Sequence, residues 1–273
     1  MQDTVPFGIS GASQYIISTS GRLSSISRYQ RLLQRKLGLD LVYLPISAKD
    51  GNDKIEPEDF VNAITGLGAV GGAISKDIKT RVIPFLDELD NSAQQVQSVN
   101  TVVRKGKKLI GYNTDVIGFR HAIERGIAES GESVQSAVIY GYGGVFNVAN
   151  SVLQNLGLKT YVAGRNQEKV VATEKQFGLD PFDGKADLFV NATPVTDDPL
   201  SAASGFLEAI ESAKLVFDHH MPGEELKAHS LRTGKGYIPG TSMYHPQMIA
   251  QWKLFLQAHA DEQVVEDALR SLI

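Results

Sequence analysis

The run Ala137-Val138-Ile139-Tyr140 passes directly into Gly141-Tyr142-Gly143-Gly144, and an amphipathic stretch from Phe146 to Leu156 follows. An apolar strand, a glycine turn and a helix in this order constrain the chain strongly. The glycines stand where the backbone turns tightly and can approach a pyrophosphate at a helix N-terminus. By itself such a string also fits a plain turn between strand and helix, so its surroundings decide. Further strands are expected at Thr160 to Ala163, Leu188 to Asn191 and Leu215 to Phe217, with another helix at Glu168 to Phe177. This alternation is that of a doubly wound α/β unit that binds a nucleotide.

The second strand of this unit ends in Ala163-Gly164-Arg165-Asn166. An acidic residue there binds the ribose hydroxyls of NAD, whereas an arginine pairs with the 2′-phosphate of NADP. Arg165 therefore favours NADP, with Glu168 three residues on as the competing signal and an exposed turn charge as the plainer reading.

The first half alternates Tyr15 to Ile17, Ser27 to Leu37, Leu41 to Leu44, Pro57 to Leu67 and Ala69 to Ser75, which reads as β-α-β-α-β in a mainly parallel α/β layer. Arg81 to Leu89 is expected as a helix, and Val99 to Val103 with Lys108 to Tyr112 as a hairpin around Arg104-Lys105-Gly106-Lys107. Asp115 to Ala128 is an amphipathic helix, and Tyr244 to Leu272 is almost all helical. With 273 residues, 42% of them hydrophobic, the chain is expected to form two domains. Residues 1–118 with 244–273 are read as a substrate and catalytic domain, and residues 119–243 as an inserted nucleotide domain.

Acidic and basic residues are interleaved and the net charge is −4, so no basic face for nucleic acid or a membrane surface stands out. A small-molecule partner is favoured. There are no cysteines, which excludes disulfides, thiolate nucleophiles and cysteine-held metals. The six histidines form no HxxxH or HExxH pair, and His219-His220 is set aside as a metal site because neighbours on a strand point to opposite faces. Met1 to Gly11 lacks a cationic and apolar leader, and no apolar run approaches the ~20 residues needed to cross a bilayer, so a cytoplasmic location is expected.

Three further strings carry a family resemblance. Ala73-Ile74-Ser75-Lys76-Asp77-Ile78-Lys79 through Leu89, Asn100-Thr101-Val102-Val103, and Asn113-Thr114-Asp115-Val116-Ile117-Gly118-Phe119 resemble, in order and spacing, those of the shikimate/quinate dehydrogenase family. Asn191-Ala192-Thr193 and Gly240-Thr241-Ser242-Met243 followed by Gln247 continue the likeness over nearly the whole chain. The resemblance implies an α/β substrate domain, an inserted Rossmann-type NADP-binding domain, and C-terminal helices returning to the first domain. It implies an oxidoreductase of aromatic amino acid biosynthesis, monomeric or homodimeric, with Lys79 as general acid/base beside Asp115. Ser25, Ser27, Ser75, Asn100 and Gln247 then bind substrate. Gly141, Gly143, Gly144, Arg165, Asn191, Thr193, Gly240 and Met243 hold the cofactor, and no metal is implied. The chemistry requires such a set: hydride transfer at a carbinol carbon needs a group that exchanges the hydroxyl proton, and a carboxylate beside a lysine orients it. Outside the resemblance Lys79 reads as a solvated charge, Asp115 as a helix cap, Met243 as core, and Trp252 and Phe255 as core on the last helix.

Substrate contacts depart from the pattern. The family's opening string stands here as Ser18-Thr19-Ser20-Gly21-Arg22-Leu23-Ser24-Ser25-Ile26-Ser27, so the carboxylate serines fit either Ser25 and Ser27 or Ser18 and Ser20. An asparagine is replaced by Ala73, and where a tyrosine is expected the chain reads Phe217-Asp218-His219-His220-Met221-Pro222, with His220 or Met221 in its neighbourhood. These changes look most similar to the shikimate dehydrogenase-like paralogues. An NAD-using quinate-type enzyme and a non-catalytic dinucleotide-binding or regulatory paralogue are the competing readings.

Overall fold

Tyr15, Ile16 and Ile17 are the centre of strand β1 (Gln14–Ser18), which is flanked on both sides by parallel strands, β2 (Leu41–Pro45) and β3 (Gly71–Ala73). The computed structural model describes residues 14–19, 28, 31–46, 55–75, 78–194, 205–221 and 224–271. Ser20, Ser25 and Ser27 lie outside these, so neither register of the carboxylate serines is addressed. Residue contacts divide the chain into two units, Met1–Thr114 with Ile249–Ile273, and Asp115–Met248.

In the first unit the sheet continues through β4 (Glu88–Leu89), β5 (Thr101–Lys105) and β6 (Lys108–Tyr112), in the order β2-β1-β3-β5-β6-β4. The expected hairpin pairs antiparallel and inserts beside β3, so the sheet is mixed rather than mainly parallel. Its core gathers Ile17, Phe60, Ile64, Val82, Val99 and Val102. Gly71 and Gly72 are demanded by this packing: a Cβ at Gly71 would fall 2.2 Å from the Val102 carbonyl oxygen, and one at Gly72 would fall 2.4 Å from the Phe60 ring. From the C-terminal segment, buried Trp252 stacks obliquely on Tyr43 with ring centres 5.8 Å apart and meets Phe255 edge-on.

The expected helix Arg81 to Leu89 does not form. Helix stops at Ile78–Arg81, a 3₁₀ turn covers Ile83–Phe85, and the chain becomes strand at Glu88–Leu89. Pro84 lacks an N–H and disfavours helical backbone at Ile83. Asp87 then locks to Leu109 through its backbone N–H at 3.0 Å and its carboxylate at 2.7 Å, which turns the segment onto β6. A further helix, Asn91–Val96, is started by Asp90, whose side chain accepts the Ser92 N–H. In the expected helix from Ser27 to Leu37, the described part is π-helical over Leu32–Lys36.

The second unit has a wholly parallel sheet of β7 (Ser136–Tyr140), β8 (Lys159–Ala163), β9 (Leu188–Asn191), β10 (Leu215–Asp218) and β11 (Gly236–Pro239), in the order β11-β10-β9-β7-β8. Successive strands fall first on one side of β7 and then on the other, and an open sheet of this kind binds ligands at such a reversal, beyond the carboxyl ends of its strands. Register aligns those ends in one row: Ala163, Tyr140, Asn191, Asp218 and Pro239 pair in sequence across the sheet. Aromatic Tyr140, Phe189 and Phe206 fill the core beneath. Among the described residues no helix is long and apolar enough to cross a membrane.

Candidate active site

The glycine turn after β7 has two kinds of glycine. Gly141 is held by geometry: its φ is +115°, its N–H donates to Ala163, and an added Cβ would lie 2.7 Å from the Thr193 methyl. Gly143 and Gly144 are different, since a Cβ at either would meet no atom within 4 Å. Packing therefore does not require them. They leave the N-terminus of the helix Gly144–Asn155 bare, with no side-chain cap at Gly143. Unsatisfied N–H groups and the positive end of the helix dipole at that point suit a pyrophosphate. Arg165 is exposed just beyond β8, and Asn166 caps the next helix by accepting the Lys169 N–H at 3.0 Å. The Lys169 ammonium lies 5.6 Å from the centre of the Tyr142 ring, which itself packs on Gly164. Two cations thus flank the start of the second helix, and sequence reasoning had singled out only Arg165. The donor set and the open turn fit a dinucleotide carrying an extra phosphate.

Asn191 is fully buried at the end of β9. Its Oδ1 accepts from the Thr193 N–H at 3.0 Å and the Thr193 hydroxyl at 2.7 Å, while its Nδ2 donates to Asp218 at 2.9 Å. Asp218, also without exposed surface, accepts the His220 N–H at 3.0 Å and the Tyr237 hydroxyl at 3.3 Å. Burial raises the Asp218 carboxyl above its ordinary pKa, with the three donors opposing that shift, and burial together with the Asp218 charge raises Tyr237. Neither residue was assigned from sequence. A carboxylate ending the apolar run Leu215-Val216-Phe217 was the available signal. His219 and His220 stand past the end of β10, not on it, so the opposite-faces argument against a metal does not apply to them. Among the described residues no group of three or more potential ligands is clustered.

Gly240 is pinned by close approach, a Cβ there falling 2.8 Å and 2.9 Å from the carbonyl oxygens of Asp218 and His219. Met243 follows, buried, with its N–H donated to Gly240. Gly118 allows the helices Thr114–Ser130 and Thr241–Leu256 to touch: a Cβ would lie 2.4 Å from the Met243 carbonyl oxygen and 2.7 Å from Gln247 Cβ.

In the first unit, Ser75, Lys79 and Asn100 are brought together by backbone bonds. Ile74 donates to the Asn100 carbonyl at 2.8 Å, and Val99 donates to the Lys79 carbonyl at 2.8 Å. Lys79 is half-buried on the helix Ile78–Arg81. The Ser75 N–H donates to Thr19 Oγ1 at 2.8 Å, and the two hydroxyls lie 3.1 Å apart, a partner not foreseen. Asn100 is buried, its Oδ1 accepting from Thr114 N–H at 2.9 Å and Thr101 Oγ1 at 2.8 Å, its Nδ2 donating to Thr114 Oγ1 at 3.0 Å. Asp115 and Gln247, both half-buried, belong to the second unit.

Residues 22–102 match the family model described as the shikimate dehydrogenase substrate binding domain. A shikimate dehydrogenase-like protein of Haemophilus influenzae is 27% identical over 270 residues, covering 94% of this chain and 95% of its own. A shikimate dehydrogenase (NADP(+)) of Aquifex aeolicus is 27% identical over 253 residues, covering 89% and 91%. A solved shikimate dehydrogenase in complex with NADP+ superposes with a TM-score of 0.70 at 25% identity, over 97% of this chain and 98% of that one. Residues 22–102 thus match a shikimate dehydrogenase substrate binding domain, and over nearly its full length the chain is similar to shikimate dehydrogenases and shikimate dehydrogenase-like proteins.

Proposed function

We propose that the chain is an NADP-dependent oxidoreductase that moves a hydride between NADP(H) and a hydroxylated cyclic acid of the shikimate type. One observation carries this reading: the helix N-terminus at Gly143-Gly144 is bare, and Arg165, rather than an acidic side chain, stands just past the neighbouring strand β8. The relatives that bear the NADP name support the same cofactor.

The nicotinamide, when bound, supplies or takes the hydride. The glycine turn takes the pyrophosphate and Arg165 the 2′-phosphate, with Asn191, Thr193, Gly240 and Met243 toward the nicotinamide. Lys79 exchanges the proton of the reacting hydroxyl, and Asp115 is the carboxylate that orients its ammonium group. Asn100 keeps one amide hydrogen on Thr114 and offers the other to a substrate hydroxyl. Ser75 and Gln247 complete the substrate contacts, with Ser25 and Ser27 for the carboxylate. Ala73 removes a polar contact, and each lost hydrogen-bond partner costs about 1–3 kcal/mol, so a close relative of shikimate is as good a candidate as shikimate itself.

The test is a steady-state assay of NADP+ reduction with shikimate and with quinate, run beside Lys79→Ala. Turnover with either acid that vanishes in the variant supports the reading. Tight NADPH binding without turnover on any cyclic hydroxy acid favours a non-catalytic dinucleotide-binding protein.

A further inference from the structure

Asp218 is a buried carboxylate to which the proposed mechanism gives no part, yet it stands in the row of strand ends, between Asn191 and Pro239. Its two oxygens collect donors from three directions: the Asn191 amide on β9, the His220 N–H just past β10, and the Tyr237 hydroxyl on β11. The bond to Asn191 has a directional consequence. A carboxylate accepts and a backbone N–H donates, so an amide held between Asp218 and the Thr193 N–H has one possible orientation, with its NH2 toward Asp218 and its oxygen toward Thr193. That oxygen also takes the Thr193 hydroxyl. Thr193 in turn presses its methyl against the turn at Gly141, where not even a Cβ fits.

We propose that Asp218 is a positioning residue for the dinucleotide: by fixing the Asn191 amide it sets the Asn191-Ala192-Thr193 turn against Gly141, and so the shape of the cofactor cleft at the carboxyl end of the sheet. The inference rests on the dinucleotide reading given above. Asp218 touches no ligand itself, being fully buried, and acts only through Asn191 and Thr193.

A double-mutant cycle read by NADPH fluorescence titration tests it, at a temperature well below the melting point of every variant. Asp218→Ala and Thr193→Val should each weaken NADPH by about tenfold, the scale of one buried hydrogen-bond partner lost, and the double variant by about tenfold again rather than a hundredfold. Additive losses overturn the proposal, since the two residues would then act independently. So does an Asp218→Ala protein that melts earlier but binds NADPH like wild type, because its role would be structural alone. Tyr237→Phe leaves the bond to Asn191 in place and should stay within about threefold of wild type. A loss as large as that of Asp218→Ala would assign the effect to β11 packing instead. If Asp218→Ala does not fold, Asp218→Ser, whose shorter side chain retracts from Asn191, takes its place in the cycle. Failure of the wild-type chain to bind NADPH is a separate result: it removes the dinucleotide reading, and the proposal with it.

Discussion

Asn100 accepts the backbone N–H of Thr114 on its side-chain oxygen at 2.9 Å, capping from fourteen residues away the helix Thr114–Ser130. The same amide is the candidate for holding a substrate hydroxyl. Two variants separate the roles. Asn100→Ala removes the cap and should destabilise the chain by about 1–3 kcal/mol in urea unfolding. Asn100→Asp keeps the acceptor but not the amide donor, so it should retain more stability than Asn100→Ala while turnover falls in both. Equal unfolding midpoints for the two variants would remove the capping role.

Lys79→Ala should lower kcat by about 10²–10⁴-fold, the usual contribution of a positioned acid/base, and leave NADPH affinity within about twofold. The residues proposed for the dinucleotide belong to the other unit, so the two measurements are separable. A parallel loss of both would mean misfolding or a wrong assignment.

For Arg165→Ala, the expected loss of NADPH affinity is about tenfold to a hundredfold, as for a charge-assisted bond to phosphate, with NADH affinity unchanged. An unaltered preference for NADPH would move the 2′-phosphate contact elsewhere, with Lys169 as the next side chain to replace.

Gly141 and Gly143 should respond in opposite ways. Gly141→Ala introduces a side chain at φ +115° and against Thr193, so the protein should melt earlier. Gly143→Ala meets no protein atom and sits in extended backbone, so unfolding should shift by no more than about 0.5 kcal/mol while NADPH affinity drops. Unchanged NADPH affinity in Gly143→Ala would mean that the bare helix end is not where the pyrophosphate sits.

Asp187 ties the start of β7 together, accepting from the N–H groups of Gln135 and Ser136 and from the Ser136 hydroxyl, with Lys214 at 3.3 Å. Burial pushes its carboxyl up, but these donors together outweigh burial and hold it below the ordinary carboxylate value. A depressed carboxyl contributes stability that is present above its unfolded pKa and is lost as pH falls through its folded one. The melting temperature of wild type should therefore fall faster than that of Asp187→Asn as pH drops through and below the carboxylate range. Parallel melting curves for the two proteins across that range would show that Asp187 contributes nothing acid-sensitive.

Much of the second unit was legible because β7, β9 and β10 are each built on an unbroken apolar run of three or more residues. β11 was missed: four residues, Gly236 to Pro239, carry too little alternation to register, and only their pairing with β10 makes them a strand. The misread helix at Arg81 to Leu89 shows the opposite failure, where helical spacing of Val82, Leu86 and Leu89 was real but Pro84 and the Asp87–Leu109 bonds redirected the chain. In the candidate site, Gly141 and Gly240 were readable because a positive φ or a close backbone approach demands glycine there. Thr19, Asp218 and Tyr237 were not, because each gains its meaning from a partner distant in sequence.

The first unit is completed by residues from the end of the chain, with Trp252 against Tyr43 and Phe255 over Gly71. During synthesis, then, the amino-terminal sheet leaves the ribosome with that apolar face uncovered, and must wait until the whole intervening unit has been translated before its last layer arrives. At roughly 5–20 residues per second this is a delay of several seconds or more, during which a nascent-chain chaperone has a defined surface to hold.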